Sequence, residues 1–227
     1  MLLKSIEFKT TNEAGYPYFL PFFGHKLELN SSITILVGEN GSGKSSLLKL
    51  LNDVLKLYRI DGDNPLKRKQ NTFKSQLHLP SVQFYRTKPK GFYFSAEDFT
   101  TYIRSLEQNK AEAYQALEEI DDTYAHKSDY AKSQARMPHM RTLHDIDQLY
   151  SKDLLASSHG EAYLDFFTSR LRDQELYLLD EPETPLSIQN QITMLSVLDE
   201  AVSRGNQFII ATHSPILTPT SRSPLPL

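Results

Sequence analysis

The stretch SITILVGENGSGKSSLLKLL occupies residues 32–51 and joins three local patterns that decide the fold. The segment Ser32–Val37 is apolar and rich in β-branched residues, which predicts a buried strand. The segment Gly38–Ser45 is rich in glycine and polar residues, which predicts a tight turn. From Ser45 to Leu51 the leucines recur at helical spacing, which predicts a helix. This order of strand, glycine-rich turn and helix is typical of an α/β fold.

The turn fits the phosphate-binding P-loop pattern of glycine, four residues, and then Gly-Lys-Ser or Gly-Lys-Thr. Glycines let consecutive backbone N–H groups point at phosphate oxygens, and the next helix directs its positive end at the same anion. We therefore predict that Lys44 reaches the β- and γ-phosphates of ATP and that the Ser45 hydroxyl ligates Mg²⁺. The predicted nucleotide-binding residues are Gly38, Glu39, Asn40, Gly41, Ser42, Gly43, Lys44, Ser45 and Ser46.

A second apolar run, Leu176–Leu179, is followed directly by Asp180 and Glu181. A strand that ends in two carboxylates places them at the carboxyl edge of a sheet, where open α/β folds bind ligands. We predict that Asp180 holds the magnesium ion and that Glu181 polarises the attacking water. The same pattern also fits a strand followed by an ordinary acidic turn, but the P-loop upstream favours the catalytic interpretation.

A third buried run, Phe208–Ala211, leads to His213. A lone histidine is more often structural than catalytic. At the end of a strand in this series, however, His213 is predicted to contact the γ-phosphate.

The segment Ser157-Ser158-His159-Gly160-Glu161 precedes an amphipathic pattern that predicts a helix. Serine and glycine at a helix start are ordinary capping residues. The functional alternative is that Ser158 and Gly160 complete an ATP site on a neighbouring subunit, because a helix N-terminus binds phosphate.

The composition excludes several classes of function. The 227 residues carry 25 Lys and Arg against 28 Asp and Glu, a net charge of −3, so no overall basic field favours nucleic acid. The chain has no cysteine, which excludes disulfides, zinc–thiolate sites and thiol catalysis. Neither a signal peptide nor an apolar run of about 18 residues is present, so we expect a cytoplasmic protein without membrane insertion.

The chain is predicted to form a single domain with an internal helical region. Pro138 is expected to divide that region into two helices, and residues 61–81 are predicted to be a loop. Four prolines in the last stretch predict that it holds no regular structure and is either a tail or the end of a truncated chain. The predicted parts are a P-loop lobe at 1–96, a helical subdomain at 97–160, a third lobe at 161–213 and a proline-rich tail at 214–227.

The order of the motifs at Gly38, Ser158, Asp180-Glu181 and His213 resembles that of the ABC-type ATPases. The resemblance is to the soluble, AAA-labelled ATP-binding proteins related to SMC and DNA-repair ATPases. It implies an α/β fold, with a P-loop NTPase sheet flanked by helices and a helical subdomain inserted in the middle. It also implies MgATP hydrolysis, and a DNA or protein partner is suggested by the family alone.

The resemblance further implies an ATP-dependent sandwich homodimer. Ser158 and Gly160 of one subunit would close over the ATP held by Lys44 of the other, with Pro185-Leu186-Ser187 at the dimer seam. The family signature is usually Leu-Ser-Gly-Gly-Gln, whereas this chain has His159 at its first glycine and Glu161 at its glutamine.

Two family positions are less clear in this sequence. We take Gln83 as the glutamine that contacts magnesium, together with Ser45 and Asp180, and Glu97 is the alternative. The aromatic residue that stacks on adenine is expected within 16–23.

Three functions remain open at this point. The first is an ATPase that acts as a molecular switch in DNA maintenance or defence, with Glu181, His213 and Lys44 as catalytic residues. The second is the ATP-binding subunit of a transporter, and the third is a module that binds ATP without turnover.

Overall fold

The computed structural model describes residues 1–9, 15–59, 80–149, 159–218 and 223–226. The predicted loop at 61–81 falls largely outside these ranges, and Ser158 lies outside them as well. The strands are β1 (Leu3–Glu7), β2 (Lys26–Glu28), β3 (Ile33–Val37), β4 (Tyr58–Arg59), β5 (Ser81–Phe84), β6 (Gly91–Ser95), β7 (Leu176–Asp180), β8 (Gln207–Ala211) and β9 (Ser223–Pro226). The helices are α1 (Lys44–Leu55), α2 (Ala96–Thr123), α3 (Asp129–Leu149), α4 (His159–Ser169) and α5 (Ile188–Ser203).

Within the described residues, six strands form a sheet in the order β4-β6-β7-β8-β3-β9, and every neighbouring pair is parallel. A separate antiparallel sheet has the order β2-β1-β5. The prediction of an α/β fold with a parallel sheet flanked by helices is confirmed.

Both faces of the parallel sheet are buried, and side chains that alternate along a strand serve the two faces. On β7, Tyr177 and Leu179 pack with α2, α4 and α5, whereas Leu176 and Leu178 pack with α1 and β1. The near-continuous apolar character of β7 and β8 in the sequence follows from this arrangement.

Gln207 joins the small sheet to the large one. Its side chain is fully buried, and its Oε1 accepts hydrogen bonds from the N–H groups of Leu2 at 2.8 Å and Leu3 at 2.7 Å. Its Nε2 donates to the Leu3 carbonyl at 3.0 Å. Each polar atom of this buried amide therefore has a partner, as burial requires.

The helical region forms a hairpin of α2 and α3, and the expected division at Pro138 is wrong. Pro138 lies inside α3, on its exposed side, and the turn between the helices is at residues 124–128. Ser128 is the N-cap of α3, because its hydroxyl accepts a hydrogen bond from the Ala131 N–H at 3.3 Å. The hairpin is held by Ala113, Leu117 and Leu143, which pack together.

The prediction that residues 214–227 hold no regular structure is also wrong. Strand β9 pairs with β3 at the edge of the parallel sheet. Pro224 and Pro226 stand two residues apart, so their missing N–H groups fall on the same side of the strand. An edge strand needs donors on one side only, which makes this position compatible with proline.

Candidate active site

The P-loop joins β3 to α1 and encloses the amine of Lys44. Gly41 and Gly43 have φ angles of 83° and 98°, in the left-handed region that favours glycine. Lys44 is 5% exposed, and its Nζ donates to the carbonyls of Gly38 and Glu39, both at 2.9 Å. The loop therefore places a buried cation beside the N-terminus of α1, where anions are favoured.

Asp180 ends β7 and is held by two hydroxyl groups. Ser45 Oγ donates to its Oδ1 at 2.7 Å, and Tyr93 Oη donates to its Oδ2 at 2.9 Å. Burial raises the pKa of the Tyr93 hydroxyl far above its usual range, and the Asp180 carboxylate raises it further, so Tyr93 remains a donor.

The pair of Ser45 and Asp180 fits magnesium. A hydroxyl and a carboxylate oxygen are the donors that Mg²⁺ prefers, and in phosphate sites the ion uses few protein ligands. Among the described residues, no group of three or more His, Cys, Asp or Glu side chains could hold a metal ion.

Glu181 and His213 meet at the same edge because β7 and β8 are neighbours. Glu181 has a φ of 49°, and its N–H donates to the Ala211 carbonyl at 2.9 Å. Its Oε1 lies 4.0 Å from His213 Nε2. A non-glycine residue in the left-handed region is strained, and such residues cluster at functional sites.

A cavity of about 220 Å³ lies over these groups. The structure thus brings the predicted P-loop, Glu181 and His213 together around one space. The residues that line it include Asn40, Lys44, Ser45, Ser46, Glu181 and His213.

Comparisons with known proteins show the family of this chain. A family model described as an AAA domain matches residues 18–177, which is more than half of the chain. The chain belongs to this AAA-domain family. Its sequence relatives include a putative ABC transporter ATP-binding protein of Methanosarcina acetivorans, and the chain is an ABC-type P-loop ATPase.

Two relatives show the extent of the sequence similarity. The molybdate import ATP-binding protein MolC of Haemophilus influenzae is 28% identical over 81% of this chain. The vitamin B12 import ATP-binding protein BtuD of Yersinia enterocolitica is 28% identical over 79% of it. The chain spans 62% of the length of MolC and 66% of that of BtuD.

Among solved structures, the SMC head domain from Thermotoga maritima is 16% identical, with a TM-score of 0.44. The alignment covers 96% of this chain and 91% of that domain.

The structure separates Gln83 from the candidate magnesium site of this AAA-domain protein. Gln83 lies on β5 in the small sheet, where its Oε1 accepts a hydrogen bond from Ser5 Oγ at 3.3 Å. The alternative, Glu97, stands in the first turn of α2, directly after β6. It lines a second cavity of about 420 Å³ together with Ser45, Asp180 and Glu181. Glu97 therefore replaces Gln83 as the candidate for the residue that contacts magnesium at this site.

Two exposed aromatic rings stand beside the P-loop, within the segment predicted to stack on adenine. Tyr16 is 57% exposed and Phe19 is 70% exposed, and both line the cavity over the P-loop. The Tyr16 hydroxyl lies 2.7 Å from Ser46 Oγ. Phe22, in the same segment, is buried in the core, which leaves Tyr16 and Phe19 as the better candidates.

The predicted signature segment is described only from His159 onward. Gly160 is buried in the first turn of α4. A Cβ atom at this position would lie 2.8 Å from Asn190 Nδ2 and 3.0 Å from the Pro185 carbonyl oxygen. The glycine thus allows close contact between the start of α4 and the predicted dimer seam of the same chain.

Sequence reasoning missed two residues that hold the site. One is Tyr93, whose position opposite β7 depends on strand register. The other is Glu183, whose Oε1 accepts a hydrogen bond from the His213 backbone N–H at 2.7 Å. The only signal for Glu183 was an acidic residue in the turn after Glu181, which is common at protein surfaces.

Proposed function

We propose that this chain binds MgATP at the P-loop and hydrolyses it, and that it acts as a nucleotide-dependent switch outside membrane transport. The observation that carries the proposal is that Lys44, Ser45, Glu181 and His213 line the same cavity of about 220 Å³. These groups come from three different segments of the chain, and each has the chemistry that phosphoryl transfer needs.

In the proposed reaction, water attacks the γ-phosphate in line with the leaving group. Lys44 exchanges its two carbonyl partners for phosphate oxygens, and the N–H groups of the P-loop bind the same anion. Ser45 and Asp180 would hold magnesium, which supplies positive charge to the phosphate oxygens. Glu181 orients the water and accepts its proton, and His213 contacts the γ-phosphate.

The second part of the proposal is an ATP-dependent homodimer. Ser158 and Gly160 of one subunit would face the ATP bound by the partner. The close packing at Gly160 supports this, because an added Cβ atom would lie only 3.0 Å from the carbonyl oxygen of Pro185, in the segment proposed as the seam. The switch would then be the closing and opening of two subunits around nucleotide.

A second candidate function is the ATP-binding subunit of a transporter. The names of MolC and BtuD favour it, because both describe import ATP-binding proteins. The described residues contain no helix long and apolar enough to cross a membrane. Tagged protein purified from its source cells in mild detergent distinguishes the two functions. Stoichiometric recovery of a multi-span membrane protein supports transport, and recovery without one supports the switch.

The deciding experiment compares wild type with Glu181→Gln. The amide keeps the size of the side chain but cannot take a proton, so we expect ATP turnover to fall at least about 100-fold while ATP binding persists. Light scattering should show an ATP-dependent dimer in the variant. Glu118→Gln is the matched control, since it makes the same change on the exposed face of α2.

Equal turnover in Glu181→Gln and wild type would show that Glu181 is not the catalytic carboxylate. Equal ATP binding by Lys44→Ala and wild type would contradict the P-loop assignment itself.

A further inference from the structure

Tyr93 holds the candidate magnesium ligand from the neighbouring strand. In the sheet register Tyr93 lies opposite Leu178, two residues before Asp180. Residues two apart on a strand share a face, so the Tyr93 ring extends along the buried face toward Asp180. Tyr93 is 1% exposed, and its hydroxyl donates to Asp180 Oδ2 at 2.9 Å.

Tyr93 is itself fixed by a buried ion pair. The Arg59 guanidinium lies 5.0 Å from the centre of the Tyr93 ring. Arg59 also donates to both carboxylate oxygens of Asp98, at 2.6 Å from Nε and 2.9 Å from Nη2. Asp98 belongs to the first turn of α2, beside Glu97. A chain of contacts therefore runs from the start of α2 to Asp180.

The two carboxylate oxygens of Asp180 each accept a hydrogen bond from a different hydroxyl group. Ser45, the other candidate magnesium ligand, donates to Oδ1, and Tyr93 donates to Oδ2. A carboxylate with only one partner can turn about its terminal torsion, which is broad. With Tyr93 in place, Oδ1 stays directed at Ser45.

We propose that Tyr93 is a positioning residue for the magnesium site, which acts by orienting Asp180 and is held in turn by Arg59 and Asp98. This rests on the proposed function, since it deepens the role of Asp180 in binding MgATP. Hydrogen-bond partners of metal ligands act in this way, and their loss commonly weakens metal binding.

The test compares Tyr93→Phe with wild type. The change removes one hydroxyl and leaves the ring, so the core remains filled. Tyr163→Phe is the matched control, because Tyr163 is equally buried and its hydroxyl has no hydrogen-bond partner among the described residues. The readouts are the Mg²⁺ concentration for half-maximal ATP turnover, binding of a fluorescent ATP analogue in EDTA, and the melting temperature.

We expect Tyr93→Phe to raise the half-maximal Mg²⁺ concentration about tenfold or more, with analogue binding in EDTA unchanged. Tyr163→Phe should match wild type in both. If Tyr93→Phe keeps the wild-type Mg²⁺ dependence, Tyr93 does not position the metal ligand. The same holds if its nucleotide binding in EDTA weakens by the same factor as its half-maximal Mg²⁺ concentration rises. Failure of wild type to bind the analogue would instead overturn the proposed function.

Discussion

At the scale of single residues, Glu183 joins the two halves of the candidate catalytic edge. Its Oε1 accepts a hydrogen bond from the His213 N–H at 2.7 Å, and Glu183 stands in the turn that follows β7. The same turn begins at Glu181, whose N–H donates to the Ala211 carbonyl at the end of β8. Two hydrogen bonds of opposite direction thus fix the spacing between Glu181 and His213.

We predict that Glu183→Ala lowers kcat for ATP hydrolysis about tenfold and leaves the KM for ATP nearly unchanged, because a hydrogen bond to a charged group contributes about 1.5–3 kcal/mol. The P-loop contacts are untouched, so binding should persist. Steady-state kinetics measure both quantities. Glu183→Gln retains an acceptor oxygen and should recover most of the rate. A rate loss of equal size in Glu183→Gln would indicate that the charge, rather than the hydrogen bond, is what matters.

Short-range patterns made part of the candidate site predictable. Lys44 and Ser45 lie in one contiguous motif, and Asp180 and Glu181 directly follow an apolar strand, so adjacency in sequence fixes their positions. Tyr93, Glu97 and Glu183 depend on strand register and on a turn, which local patterns do not determine. The choice of Gln83 failed for this reason, since its strand belongs to the small sheet.

At the scale of elements, helix and strand type followed from periodicity, but two proline-based predictions failed. Pro138 lies on the exposed side of α3, where the helix tolerates the loss of one donor. Strand β9 accepts two prolines because it lies at the sheet edge. Whether proline ends an element thus depends on its tertiary setting: in α3 the carbonyl that loses its donor belongs to the exposed Gln134, and in β9 one side of the strand needs no donors.

Gly91 begins β6, and its close approach to β7 gives a prediction about strand pairing. Its φ is 155°, and a Cβ atom at this position would lie 1.7 Å from the Leu176 carbonyl oxygen. We expect Gly91→Ala to lower the free energy of unfolding by at least about 2 kcal/mol, because the two strands must separate.

Chemical denaturation measures this change. Gly205→Ala is the control, since Gly205 also has a positive φ but a Cβ there would meet only Gln174 Cγ at 3.3 Å. It should cost about 1–2 kcal/mol, from backbone strain alone. Equal losses in the two variants would mean that strain, and not the contact with Leu176, decides the effect.

At the scale of the whole molecule, the site lies between the edge of the parallel sheet and the helical hairpin, whose helix α2 packs against that sheet. The ends of β3, β7 and β8 are set by the parallel sheet, which is buried on both faces. The N-terminal part of α2 meets the site, since Glu97, Thr101 and Arg104 line the cavity of about 420 Å³ beside Ser45 and Asp180. A change at the metal site therefore has a direct physical path to the hairpin, through Tyr93 and Arg59.

The proposed dimer gives the last prediction, at the seam. Ile188 and Ile192 start α5 directly after the predicted seam, are 68% and 48% exposed, and lie one helical turn apart on the same face. Burial of this face in an ATP-bound dimer would account for apolar side chains in such exposed positions. We expect Ile188→Glu to weaken ATP-dependent dimerisation at least about tenfold, since it would bury an unpaired charge. ATP binding by the monomer should remain intact, because the residue lines neither cavity of the described site.

Sedimentation in the Glu181→Gln background measures the dimer, and Met137→Glu on the exposed side of α3 is the matched control. If Met137→Glu disrupts the dimer and Ile188→Glu does not, the subunits meet through the hairpin and the sandwich arrangement is wrong.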